Sequence, residues 1–262
     1  MTILSQLKMT KLGNSDERNS QSTKEGCNAE TRFQKGSQKV SARKAANSET
    51  KRLRALGMAI LYQINPENPQ PRLIQKVVEV LRDDGVIAYP TDTVYGIGCD
   101  IFCKKAIERI FLLKGKAHKS PLSFICPDLK DISKYAYVSN RAYKVMRHLL
   151  PGPYTFVLKA TPLVPKLMVT KIKTVGIRIP DNNICIAMLR ELGHPIVSTS
   201  ASFGESDIFT DPEEIDIRLG HQLDVIIDGG ILGTVPSSVV DLTNDDDFRV
   251  LRVGKGDVSM FQ

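Results

Sequence analysis

Gly85-Val86-Ile87-Ala88-Tyr89-Pro90-Thr91-Asp92-Thr93-Val94-Tyr95-Gly96 joins an apolar run to a polar turn. Residues 85–89 are short, β-branched and nearly all apolar, the pattern of a strand buried on both faces of an α/β sheet. Pro90 stops the run, and two threonines and an aspartate follow at its carboxyl end. In open α/β sheets ligands gather at that edge, so Thr91, Asp92 and Thr93 stand where a binding site is expected. The same letters also suit a turn in which Asp92 bonds its own backbone.

Working outward, strands and helices alternate from Ala59. A strand is predicted over 60–64, and Pro71 opens a helix in which Leu73, Ile74, Val77, Val78 and Leu81 share a face, with Gly85 as its stop. Helical spacing recurs in three more places: Ala106, Ile107, Ile110 and Phe111; Ala142, Val145, Met146 and Leu149; and Ile184, Ala187, Met188 and Leu189. Asp211-Pro212-Glu213-Glu214 reads as a capped helix start. Further strands are predicted over 122–126, 154–160, 175–179, 196–199, 225–227, 238–242 and 248–252. The gap between 154–160 and 175–179, and the gaps in the last third, lack room for crossover helices, so some pairing is antiparallel. The expectation is one α/β domain over 56–262, with an open twisted mixed sheet, preceded by a tail over 1–55.

Charge separates those two parts. Residues 1–54 hold twelve Lys or Arg against five Asp or Glu, a surplus equal to the formal net charge of +7, and the remaining residues balance at 24 against 24. The Ser-, Lys- and Asn-rich tail has no sustained apolar period and is expected to be disordered. It also suits an organelle transit peptide, although Asp16, Glu17, Glu25 and Glu30 count against a strong one. An intracellular location follows, either cytoplasmic or in a plastid or mitochondrion entered through the tail. Five cysteines without a CxxC pair, and four histidines without HxxxH spacing, indicate a reducing compartment and no zinc site. No apolar run reaches the length of a membrane span.

Polar residues cluster at strand ends. Lys114, Lys116 and Lys119 crowd the loop between a helix and a strand, a grouping that suits phosphates or carboxylates and equally a solvated helix end. Ser198, Thr199, Ser200 and Ser202 follow an apolar strand, where hydroxyls and amides can hold phosphate oxygens or simply satisfy a turn. Arg178 interrupts the apolar strand Val175-Gly176-Ile177-Arg178-Ile179 and must meet an anion, either a ligand carboxylate or a structural aspartate. His118, His148, His194 and His221 read as surface or helix-end residues, and Cys99 and Cys103 as small core residues.

There is no Walker A sequence and no GxGxxG. PTDTVYGIG, LKGKAHKSPL, PGPYTFVLK, TVGIRIP, PIVSTSAS, VIIDGG with SSVVDLT, and LRVGKG stand in that order over roughly residues 60 to 255. This series closely resembles the YrdC-like family, whose best-known activity is threonylcarbamoyl-AMP synthesis for tRNA modification. The stretch 65–92 and the DPEEI segment look most like the YciO branch. The resemblance implies a concave domain that binds ATP with Mg²⁺, L-threonine and bicarbonate, with no tightly bound metal and no membrane partner. It implies that Thr93, Arg178, Thr199 and Ser237 contact threonine. Lys114, Lys116, Ser120, Thr174, Ser200, Ser202 and Arg252 would line the nucleotide, with Lys114 and Lys116 as the catalytic cations. Binding of tRNA or double-stranded RNA is the alternative that the family suggests.

The sequence departs from the synthase pattern at four places. Lys116 stands where many synthases have the arginine of a KxR pair, and Ser202 where they have the asparagine of an SxN pair. Ile125 replaces a threonine-site histidine, and Ser120 an asparagine. Lysine keeps the charge of arginine but loses the planar fork that grips phosphate.

Overall fold

The computed structural model describes residues 58–114, 122–130, 132–165, 168, 173–203 and 207–261. The basic tail over 1–55, Lys116, His118 and Ser120 lie outside the described residues. In chain order the elements are β1 Ile60–Gln63, α1 Pro71–Arg82, β2 Val86–Tyr89, β3 Gly96–Asp100, α2 Lys104–Lys114, β4 Ser123–Ile125, β5 Ala136–Tyr137, α3 Asn140–Leu149 and β6 Tyr154–Ala160. There follow β7 Thr174–Arg178, α4 Asn183–Leu192, β8 Ile196–Ser200, β9 Ser202–Phe203, β10 Asp207–Ile208, α5 Pro212–Leu219, β11 Val225–Asp228, β12 Ser238–Asp241 and β13 Arg249–Arg252.

Local chemistry sets the helix ends. Pro71 begins α1, where its missing N–H leaves no bond unmade. Ser139, Asn182 and Asp211 accept a backbone N–H at the starts of α3, α4 and α5. The end of α1 differs from the sequence expectation. Asp84, at φ 61°, takes the left-handed position, and the Gly85 N–H reaches back 2.9 Å to the Val80 carbonyl. Gly85 is required by closeness, because a Cβ there would meet the Val80 side chain at 2.4 Å.

Among the described residues the strands form one eleven-stranded sheet, ordered β1-β11-β2-β3-β8-β4-β7-β6-β12-β13 with β5 on the side of β6, and a separate β9–β10 pair. Pairing is mixed. β6–β7 and β12–β13 are antiparallel, as the short gaps required, whereas β4–β7, β6–β12, β2–β11 and β1–β11 are parallel. The helix-less connection from β11 to β12 is a correction to the sequence reading. It makes no hairpin but crosses from near one end of the sheet to near the other. Six strands lie between β11 and β12, about 34 Å across a flat sheet, which is roughly the full reach of ten residues. Yet the connection turns at Gly230, φ 91°, and its Gly230 carbonyl accepts from the Tyr95 hydroxyl at 2.8 Å. A chain that turns cannot span a flat sheet of this width, so the sheet curls.

Two apolar clusters flank the sheet. On one face Val86, Ala88, Phe124, Phe156, Leu158, Ile177 and Val197 pack against α2, α3 and α5. Each fully buried valine, leucine, isoleucine or phenylalanine among them contributes on the order of 1.5 to 3 kcal/mol. On the other face α1 and α4 cover Ile87, Ile196, Val225 and Ile227, with Tyr89 and Ile125 at the margin of that cluster. Beyond this margin hydroxyls and charges join apolar residues such as Val157 and Val239 on the strands. Among the described residues no helix is long and apolar enough to cross a membrane.

Candidate functional site

Strand alternation sorts the side chains. In β7 Val175 and Ile177 enter the core, while Thr174, Gly176 and Arg178 face the opposite way. The same period places Thr155 and Val157 of β6, Ser123 and Ile125 of β4, and Ser198 and Ser200 of β8 around one cavity of about 670 Å³. That volume is ordinary for a small-molecule site. Two glycines hold the floor open. A Cβ on Gly176 would meet Ser123 Oγ at 2.6 Å, and one on Gly96 would meet the Tyr89 ring at 2.8 Å. The Tyr89 ring therefore lies across β3, and its hydroxyl hydrogen-bonds Ser198 Oγ. Burial pushes the Tyr89 pKa far up, so the phenol stays neutral.

Arg178 resolves the question its sequence position raised. Its Nη2 donates to Asp92 Oδ1 at 2.6 Å, to Thr93 Oγ1 at 2.8 Å and to Thr91 Oγ1 at 3.2 Å. The structural aspartate is therefore present. Asp92 does not cap its own turn: Thr91 does, accepting from the Thr93 N–H and donating to the Val94 carbonyl. That leaves the carboxylate for the arginine. The pair is joined through one nitrogen and one oxygen only, and Arg178 Nε and Asp92 Oδ2 are buried without a hydrogen-bond partner. Half of each fork is thus unspent. Lys255 Nζ closes over the turn, donating to the Asp92 carbonyl at 2.6 Å.

Lys114, at the end of α2, is 9% exposed. Its ammonium donates to the Ser202 carbonyl at 2.7 Å, the Ser200 carbonyl at 3.0 Å and Ser202 Oγ at 3.0 Å. Burial outweighs these dipoles and lowers its pKa to about 8. On the far wall Arg252 donates through Nε and Nη2 to the Ser237 carbonyl, and Ser237 Oγ meets Thr155 Oγ1 at 2.9 Å.

Of the residues singled out from sequence, Lys114, Thr174, Arg178, Thr199, Ser200, Ser202, Ser237 and Arg252 line this one cavity. Thr93 stands behind Arg178, 3% exposed. Lys116 and Ser120 lie outside the described residues. Ser198, one of the four hydroxyls read from sequence as able to hold phosphate, lines the cavity too, whereas Tyr89, Ser123 and Thr155 were not assigned to the site, although the last two, like Ser198, carried a signal. That signal is a small hydroxyl alternating with core residues along a strand. Among the described residues the cavity wall has three cations and no carboxylate, and no three His, Cys, Asp or Glu side chains gather as metal ligands.

Comparison with known proteins gives a consistent answer. The family model Sua5/yciO/yrdC, described as telomere recombination, matches residues 79–254. The chain is similar to YciO of Escherichia coli K12, 46% identical over 206 residues that make up 78% of this chain and 100% of YciO. The crystal structure of E. coli YciO matches with a TM-score of 0.75 at 44% identity, again over 78% of this chain and 100% of that one. Threonylcarbamoyl-AMP synthase of Bos taurus is 31% identical over 77% of this chain and 75% of its own. The structure of P. abyssi Sua5 complexed with L-threonine matches with a TM-score of 0.70 at 28% identity, over 75% of this chain and 58% of that one.

Proposed function

The chain belongs to the Sua5/yciO/yrdC family, and from that premise we propose that its cavity carries out a threonylcarbamoyl-AMP synthase-type reaction serving N6-threonylcarbamoyladenosine modification of tRNA. Threonine and bicarbonate lose water to form a carbamate. A carbamate oxygen attacks the α-phosphorus of ATP, the bond to the β-phosphate oxygen breaks, and pyrophosphate leaves. The observation that carries this reading is the wall of Lys114, Arg178 and Arg252 set among hydroxyls, with no carboxylate lining among the described residues. Phosphoryl transfer asks a protein chiefly for positioning and for charge to meet the developing anion. Mg²⁺ enters with ATP as part of the substrate, since that wall offers it no acidic ligand.

Arg178 lines the cavity, and its guanidinium, held in place by Asp92, suits the carboxylate of the amino acid. Lys114 and Arg252 face the phosphates. The relative P. abyssi Sua5 has a structure in complex with L-threonine, which supports the same substrate class here. Ile125, buried beside Arg178 in register, gives the amino acid an apolar neighbour where many synthases place a histidine.

The test incubates the full chain with ATP, L-threonine, bicarbonate, Mg²⁺ and pyrophosphatase, and seeks threonylcarbamoyl-AMP by mass spectrometry beside an active synthase. Product is the expected result. No product beside an active control turns the reading to a tRNA- or double-stranded-RNA-binding protein with a degenerate cleft.

A pH dependence follows from Lys114. Its ammonium is charged below about pH 8 and neutral above, and only the charged form attracts phosphate. ATP affinity is therefore expected to weaken by roughly ten- to a hundredfold between pH 7.5 and 9.5, and Lys114→Arg to flatten the profile because arginine stays charged. Calorimetric titration across this range measures it; a flat wild-type profile removes Lys114 from the phosphate site.

A further inference from the structure

One row of side chains crosses the cleft floor at right angles to the strands. Ser123 pairs both Ser198 and Gly176, so two residues further along, Ser200 and Thr174 fall on a common line. Lys159 pairs Thr174, and Tyr137 pairs Lys159. Residues directly opposite on neighbouring strands share a face, and Val157, two residues before Lys159, lines the cavity. Lys159 and Tyr137 therefore stand on the cleft face, as an outward extension of the cavity floor. At the inner end of the row the Ser200 carbonyl holds the Lys114 ammonium. Four strand spacings separate β8 from β5, about 19 Å along the sheet.

Tyr137 is 61% exposed, and among the described residues no hydrogen bond or ring contact fixes its side chain. A single exposed tyrosine is ordinary; its place on this row is not. The row offers an ammonium at one end, a hydroxyl at Thr174 partway along, and an aromatic face beside a second ammonium at the other end. These match, in order, phosphate, sugar and base. The residue leading into β7, Lys173, is held at φ 55°, a backbone conformation that non-glycine residues adopt only when their surroundings impose it.

We propose that Tyr137 and Lys159 form the platform for the nucleobase, which stacks on the Tyr137 ring with its phosphates directed toward Lys114. This rests on the nucleotide reading of the cleft and adds to it the residues that distinguish a nucleotide from a bare polyphosphate. Stacking on an aromatic side chain tolerates any base, so the platform supplies affinity more than base choice.

The experiment compares equilibrium binding of ATP and of tripolyphosphate, each with Mg²⁺, to the full chain and to Tyr137→Ala and Tyr137→Trp. Wild type is expected to bind both, and ATP more tightly. Tyr137→Ala weakens ATP by about tenfold and leaves tripolyphosphate unchanged, and Tyr137→Trp retains ATP. Unchanged ATP binding by Tyr137→Ala overturns the platform, as does an equal loss of both probes, which marks the tyrosine as structural. Wild type binding tripolyphosphate as tightly as ATP defeats the platform alone. Wild type binding neither defeats the nucleotide reading itself, and the platform with it.

Discussion

Arg178→Lys is expected to keep the fold and lose the reaction. The lysine retains a positive charge for Asp92, but a single ammonium replaces a guanidinium whose Nη2 already serves Asp92, Thr93 and Thr91. No second donor edge remains for the carboxylate of an amino acid. Threonine-dependent adenylate formation should fall by about a hundredfold or more, the scale of losing a buried charge-paired hydrogen bond, with the urea midpoint near that of wild type. Arg178→Ala confounds the two effects. It strands Asp92, whose side chain is 10% exposed, and breaking such a pair by removing one partner costs about 3 to 5 kcal/mol of stability. Turnover by Arg178→Lys at the wild-type rate would falsify the assignment.

The second large effect lies away from the cleft. The Asp224 side chain is fully buried, and its Oδ2 accepts from the Val86 N–H at 2.7 Å and from Arg109 Nη1 at 2.8 Å. Arg109 also donates through Nη2 to the Gln222 carbonyl at 2.9 Å. One carboxylate thus ties the first residue of β2 and helix α2 to the approach of β11. Asp224→Ala leaves a buried N–H and a half-buried guanidinium without this acceptor, and about 3 to 5 kcal/mol should be lost in urea unfolding with an unchanged slope. Asp224→Asn keeps an acceptor for Val86 and should fall between. A double-mutant cycle with Arg109→Ala isolates the pair; additive losses would show that Asp224 acts through the backbone alone.

Much of this architecture was legible because each signal had one physical meaning. An arginine in an apolar strand must be paired, and Arg178 is. Serine and threonine after an apolar run face a site, as Ser200 and Ser202 do. β3 was not foreseen, because glycine is depleted in strands and two of its five residues are Gly96 and Gly98. The strand is glycine-poor in meaning though not in letters: a Cβ at Gly96 would strike the Tyr89 ring. Lys114 was legible as a cation near the site, but its partners were not, since two of its three acceptors are backbone carbonyls that no sequence pattern marks. Asp224 carries no signal in the sequence, because its burial comes from the meeting of β2, β11 and α2, which are far apart in the chain.

The connection from β11 to β12 behaves like the string of a bow. Its length sets how far the sheet must bend, and the bend sets the distance between the wall that carries Tyr89 and the wall that carries Arg252. The aperture of the cleft is thereby governed by a segment that supplies few of its lining residues. Lengthening or shortening that segment changes the size of molecule admitted while every hydroxyl and cation on the floor stays the same.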